Sequence, residues 1–205
     1  MVYMWVTDYV VNTAGYVFQE IGKLTYNITD DMVPAESQFR LNTSSIGGLI
    51  PQLKKMYPNM LMELIINSTK APNVTVGKDA VDGMLLGDVI AYVVLPNATR
   101  QYVFTLGVVA KGSGTVGFAD PNITGKVTSM SADLTLTKTA IGPFSLILIQ
   151  PAVDIFIDAG VIPYLNDKGK KGFPLPSIEG VEFINPEIVL KKNVIQVGTD
   201  LKYVP

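Results

Sequence analysis

Pro151 opens a helical pattern that runs to about Leu165, and apolar residues cover most of its circumference: Ala152, Val153, Ile155, Phe156, Ile157, Val161 and Ile162. Proline is tolerated in a first helical turn, where its missing N–H costs no bond. Only the row Gln150, Asp154 and Asp158, spaced by four, is polar. An ordinary surface helix shows a single apolar stripe, so a helix this apolar has to be wrapped by sheet or to face an apolar ligand. The uncharged stretch 140–152 that leads into it contains Gly142, Pro143, Gln150 and Pro151, and is too short and too broken to span a bilayer. The helix therefore calls for a sheet large enough to surround it.

The remaining chain offers such a sheet. Segments 23–29, 38–42, 60–67, 87–95, 102–111 and 126–138 read as strands, and the last alternates Val127, Met130, Ala132, Leu134 and Leu136 with Thr and Ser. Pro-Asn, Gly-Ser-Gly and Asp-Pro-Asn punctuate them as turns, so long antiparallel strands are expected. Thr7 or Asp8 can cap an amphipathic helix with Val10, Ala14, Val17, Phe18 and Ile21 on one face and Gly22 as its stop. A second helix is expected after Ser44 and Ser45, with Ile46, Leu49, Ile50, Leu53, Met56 and Tyr57 on one face and Pro58 ending it. Residues 166–172 read as a polar turn, and segments 178–190 and 193–203, joined through Lys191 and Lys192, as a terminal hairpin. No repeat or linker divides the chain, so residues 1–205 are expected to form one α+β domain.

Composition excludes several classes of function. With 48% hydrophobic and 17% charged residues the chain is too apolar for disorder. Sixteen basic and 18 acidic residues give a net charge of −2, which leaves no basic excess for phosphate backbones and argues against nucleic acid as a partner. There is no histidine and no cysteine. The common catalytic triads, Cys–His pairs and zinc sites are thereby removed, and a metal centre or an enzyme is not expected.

Weaker motifs have plain alternatives. Carboxylate pairs remain at Asp30-Asp31, at Asp79 with Asp82, and at Asp154 with Asp158. A turn or cap and a solvated helix stripe account for the first and last without chemistry. Gly112-Ser-Gly114-Thr-Val-Gly117 matches the dinucleotide fingerprint but is followed by Phe118-Ala-Asp-Pro121, which cannot open a crossover helix, so it reads as a glycine-rich β-turn. Lys168, Lys170 and Lys171 could meet an anionic headgroup, although a short Lys/Gly loop is normally a solvated turn.

Six sequons stand out: Asn27, Asn42, Asn67, Asn73, Asn97 and Asn122, each followed two residues later by Ser or Thr with no intervening proline. Chance would supply roughly one or two in such a chain. A secreted, extracellular glycoprotein is expected. Without cysteine it must hold together by its core. No basic, apolar leader precedes the structured-looking start at Val2, Tyr3 and Trp5, so the chain is expected to be part of a longer protein.

Three stretches carry a resemblance. The opening Met1-Val-Tyr-Met-Trp-Val-Thr-Asp-Tyr-Val-Val-Asn-Thr-Ala-Gly-Tyr-Val-Phe-Gln-Glu20, the segment Asp31-Met-Val-Pro34, and the ending from Lys171-Gly-Phe-Pro-Leu-Pro176 through Val197-Gly-Thr-Asp-Leu-Lys-Tyr203 resemble the C-terminal half of the bactericidal/permeability-increasing and lipopolysaccharide-binding proteins, relatives of the phospholipid and cholesteryl ester transfer proteins. The resemblance implies half of a boomerang-shaped tubular fold: a long twisted antiparallel sheet wrapped around a helix, with a phospholipid in an apolar tunnel as ligand and no cofactor. The terminal hairpin, about 178–204, would lie near a sheet shared with an N-terminal half of the same protein. Val10, Ala14, Val17, Phe18, Val153, Phe156, Ile157 and Val161 are the candidates for acyl-chain contact.

In the family the strongly basic tip used on lipopolysaccharide belongs to the other half, and this near-neutral chain offers no substitute. Lipopolysaccharide would be met through the full-length protein, in innate immunity against Gram-negative bacteria, whether the protein is secreted directly or from granule stores. A plasma-type lipid-transfer domain is the alternative within the resemblance. A ligand-free interaction module is the alternative outside it, and it predicts an exposed apolar patch near the terminal hairpin. All six sequons lie within residues 27–124, so the sugar-free last 81 residues are expected to include the face turned to the other half.

Overall fold

The computed structural model describes residues 2–33, 40–119, 122–174 and 181–203. Its largest element is a strongly curled antiparallel sheet in the order β2-β3-β5-β6-β7-β8, with β4 pairing β5 beside β3. These strands are β2 (Thr25–Ile28), β3 (Leu61–Ser68), β4 (Asn73–Val76), β5 (Val81–Val94), β6 (Arg100–Ala119), β7 (Asn122–Thr139) and β8 (Phe173–Pro174). A separate three-stranded sheet joins β1 (Val2–Thr7), β10 (Val194–Tyr203) and β9 (Val181–Lys191), in that order. The expected terminal hairpin is present, with its residues 178–180 outside the described residues.

β6 runs for 20 residues, and it runs straight through the glycine-rich motif. Gly112-Ser-Gly114 is therefore not a turn but mid-strand backbone, with a register shift between Ser113 and Gly114. Such bulges increase local twist, which lets a long ribbon curl without breaking its ladder. Expected strand 38–42 is not formed where it can be seen: Asn42 makes one isolated bridge to Leu61, and residues 38 and 39 lie outside the described residues. Arg40 is occupied otherwise, donating to the carboxylate and carbonyl of Asp30 and to the Val33 carbonyl.

The expected second helix is two short ones, α2 (Thr43–Ile46) and α3 (Pro51–Met56). Asn42 caps α2 by accepting from the Ser45 N–H, and Pro51 begins a new helix because it cannot continue the old one. These helices close one end of the curl. There Leu41, Ile50, Leu53, Met62, Ala91, Val93, Val103, Phe104, Leu106, Ile141 and Ile149 form the main core.

The long helix comprises α4 (Ile149–Phe156), a π-turn (Ile157–Val161) and α5 (Ile162–Lys171). It extends past Leu165, and the stretch read as a polar turn is its last turns. Three lysines there favour the negative end of the helix dipole, and Gly172, at φ 62°, ends it in a conformation that disfavours side chains. The π-turn has a cause in Pro163, which has no N–H for the Ala159 carbonyl and whose ring crowds it. Instead the Ile162 N–H donates to Ile157 O, one residue further back than in an α-helix.

Acid should loosen the segment before α2. Arg40 beside Asp30 and the Leu41 N–H hold the Asp30 carboxyl below its usual range. A carboxylate with a depressed folded pKa stabilises the fold above its unfolded value of 3.8, and loses that contribution as pH falls through the folded value. Amide exchange at residues 30–33 and at Arg40 and Leu41 is expected to accelerate below pH 3.8, and to lose this acid dependence in Asp30→Asn.

Candidate functional site

The inner surface of the curl is the candidate site. Opposed residues Leu85, Ala110 and Ala132 on β5, β6 and β7 share one face, which meets Ile157 of the long helix. Val153 packs against both the main core and this second cluster, and Val161 packs against the second. Three of the candidates, spaced by four, thus form the inward row of the long helix. Ile157 is buried at 4% exposure, whereas Phe156, one position around the helix, is 52% exposed.

α1 (Asp8–Glu20) is differently placed. It lies mainly along β4 and β1, and none of its residues is buried. Polar side chains hold it. The Asn12 amide donates to Val74 O and accepts from Val74 N, as a neighbouring strand would, and Gln19 donates to Ser68 O. Gly15 approaches Pro72 on the same side. At about 100° per residue, Asn12, Gly15 and Gln19 fall within one sector of about 60°, and Val10, Ala14, Val17 and Ile21 fall within another nearly opposite. The helix is pinned to the sheet by its polar side, with its apolar row turned away. Val10 is 56% exposed, Val17 and Phe18 50% each, and Ala14 is exposed as well.

These amide clamps carry no periodic signal in the sequence, and a second set fixes the long helix. Gln150 donates to Ala132 O, and Asn166 both donates to Val127 O and accepts from Val127 N. Sixteen residues of unbroken α-helix would separate the two side chains by about 160°, and the extra residue of the π-turn takes back about 100°. Both therefore reach β7. The spacing of Gln150 and Asn166 hides this in the sequence, because the period changes between them. Beyond Asn166 the fit tightens: a Cβ on Gly169 would stand 2.2 Å from the Gly125 carbonyl oxygen.

Among the described residues there is no cluster of acidic side chains able to hold a metal ion, and no helix is long and apolar enough to cross a membrane. Asp154 accepts from Gln150 and is exposed, as is Asp158. Ser113 donates to Asp82. None of the six sequon asparagines is buried.

The model of the LBP/BPI/CETP family, C-terminal domain, matches residues 1–203. The chain belongs to this family. It is 34% identical over 205 residues to the lipopolysaccharide-binding protein of Homo sapiens, covering 99% of this chain and 42% of that protein. Identity is 32% over 203 residues with the bactericidal permeability-increasing protein of Sebastes schlegelii, again 99% of this chain and 43% of the relative. Among solved structures, a crystal structure of lipopolysaccharide binding protein superposes with a TM-score of 0.74 at 26% identity, over 99% of this chain and 43% of that one. The chain thus spans less than half the length of the family members it matches. The mixed α+β architecture, with its curled sheet and long helix, agrees with that structure.

Proposed function

We propose that this domain holds the acyl chains of a phospholipid-like ligand against the apolar side that α1 turns away from β4 and against the exposed apolar residues of the long helix. The observation behind this reading is the attachment of α1. A helix tied down by Asn12 and Gln19 leaves Val10, Ala14, Val17 and Phe18 exposed, an arrangement that costs solvation unless something apolar lies against them. Phe156 is exposed on the long helix, as are Ile155 and Tyr164. Membership of a family whose relatives are named for lipopolysaccharide binding and bactericidal action supports a lipid ligand and a secreted, extracellular, glycosylated protein of innate immunity. Lipopolysaccharide itself is assigned to the full-length protein rather than to these residues, because the chain is close to neutral. No enzymatic step is assigned to it.

The test is native mass spectrometry, with an organic extract of the protein purified from secreting cells. A bound phospholipid mass that vanishes on extraction is expected. Ligand-free protein that takes up no labelled phospholipid from vesicles would end the proposal.

A second surface has its own observation. The small sheet exposes Tyr3 and Trp5 on one face, where their rings stack, and Leu201 and Tyr203 on the other. The Tyr3–Trp5 pair is an exposed apolar surface near the terminal hairpin of the kind an interaction module predicts. Within the family reading it is the docking face for an N-terminal half of the same protein, and its strands lie in sequence before and after the sequon-bearing span.

A further inference from the structure

The outward face of the large sheet carries an open groove of about 520 Å³. Its floor is two cross-strand rows. Asn73, Met84, Lys111 and Ser131 stand side by side on β4, β5, β6 and β7, and Thr75, Asp82, Ser113 and Ser129 lie around the next pleat. Each row begins with a residue of one sequon, Asn73-Val-Thr75.

Asn73 differs from the other sequon asparagines. Asn27 donates to Glu63, Asn42 accepts from Ser45, Asn67 from Thr25 and Asn97 from Thr99, and Asn122 donates to Lys171. Among the described residues the exposed Asn73 side chain alone in this set has no hydrogen bond to the protein. Its amide is free at the edge of a groove whose lining mixes polar and apolar surface, with the exposed Met84 next in the row.

We infer that the groove is the seat of the chain's own N-linked glycan, attached at Asn73 and folded back across the sheet. Sugars combine an apolar ring face with a rim of hydroxyls. Met84 offers a thioether for the ring face, while Lys111 and Ser131 offer donors and Asp82 an acceptor for the rim. The volume is in the range of small-ligand sites, enough for the proximal sugars. A glycan laid here also covers a broad exposed strand surface. The inference rests on the glycoprotein reading above, and the experiment separates the two.

The full chain secreted from mammalian cells is treated with peptide-N-glycosidase under native conditions, and release is followed site by site by glycopeptide mass spectrometry. The comparison site is Asn97, exposed on the β5–β6 turn. Release at Asn73 is expected to be about tenfold slower, since the enzyme must wait for the glycan to lift off. Met84→Ala with Lys111→Ala, both on exposed side chains, should bring the two rates together. Equal rates in the unaltered protein, or a difference that survives the double substitution, overturn the inference. An unoccupied Asn73 beside occupied sequons overturns it while leaving the glycoprotein reading intact, and six unoccupied sequons overturn both. Binding of an added free oligosaccharide by Asn73→Gln would give the groove to an external sugar instead.

Discussion

Alanine at Gly169 is expected to detach the end of the long helix from the sheet and to lower the melting temperature by roughly 6–12 °C. The added methyl would stand 2.2 Å from the Gly125 carbonyl oxygen and 3.1 Å from its carbon, and both neighbours are backbone. A flexible side chain could turn aside, but here the helix or β7 has to move. Overpacking of this kind costs about 3 kcal/mol at the upper end of its usual range. For a chain of this size each kcal/mol corresponds to about 2–4 °C. The same displacement would break the paired bonds of Asn166 with Val127, so amide protection at Val127 should fall together with the melting temperature. Gly160→Ala is the control. Its methyl would meet only the Phe156 ring, at 3.6 Å, and alanine is the better helix former, so stability should hold or rise. Calorimetry of the two variants checks the prediction, and an unchanged melting temperature for Gly169→Ala would contradict the close contact.

The second large effect concerns the ligand. Phe18→Asp together with Phe156→Asp should reduce co-purifying phospholipid by about tenfold or more, because one carboxylate on each helix would face acyl chains that cannot solvate it. Both side chains are half exposed in the protein, 50% and 52%, so their replacement removes little packing. Substitutions at sites of this kind usually change stability by about 0.5 kcal/mol or less. The combination matters: loss of lipid at unchanged stability separates ligand contact from plain core packing. Ile157→Asp should behave in the opposite way, since Ile157 is buried against Ala110 and Ala132, and the protein should then unfold whether or not lipid is present. Phospholipid per protein, measured on extracts, and the melting temperature are the two readouts.

The two predictions follow from a division visible across the fold. Elements whose signal is local were legible in the sequence. The 126–138 alternation became β7, the stripe from Val10 to Ile21 became α1, and the terminal hairpin formed with its turn at Lys192 and Asn193. These depend on periodicity, capping and turn chemistry, which neighbouring residues set by themselves. Segments whose conformation depends on distant partners came out differently. Gly112-Ser-Gly114 looks like a turn locally, yet β5 and β7 on either side hold it in the ladder as extended strand. Residues 166–172 look like a polar loop, but Asn166 finds Val127 and Gly169 finds Gly125, and those contacts carry the helix onward to Lys171.

The candidate site divides in the same way. Hydrophobicity marked Val10, Ala14, Val17, Phe18, Val153, Phe156, Ile157 and Val161 without telling which would be buried. Tertiary structure sorted them, through groups that hydrophobicity cannot see. The side-chain amides of Asn12, Gln19, Gln150 and Asn166 bond to strand backbones and thereby choose which face of each helix meets the sheet. The sequence by itself determined that a nearly all-apolar helix needed a wrapping sheet, and that the chain lacks histidine and cysteine for chemistry. Only the folded chain decided which side of each helix is covered, because the unpaired backbone groups that those amides satisfy exist only after the strands have paired.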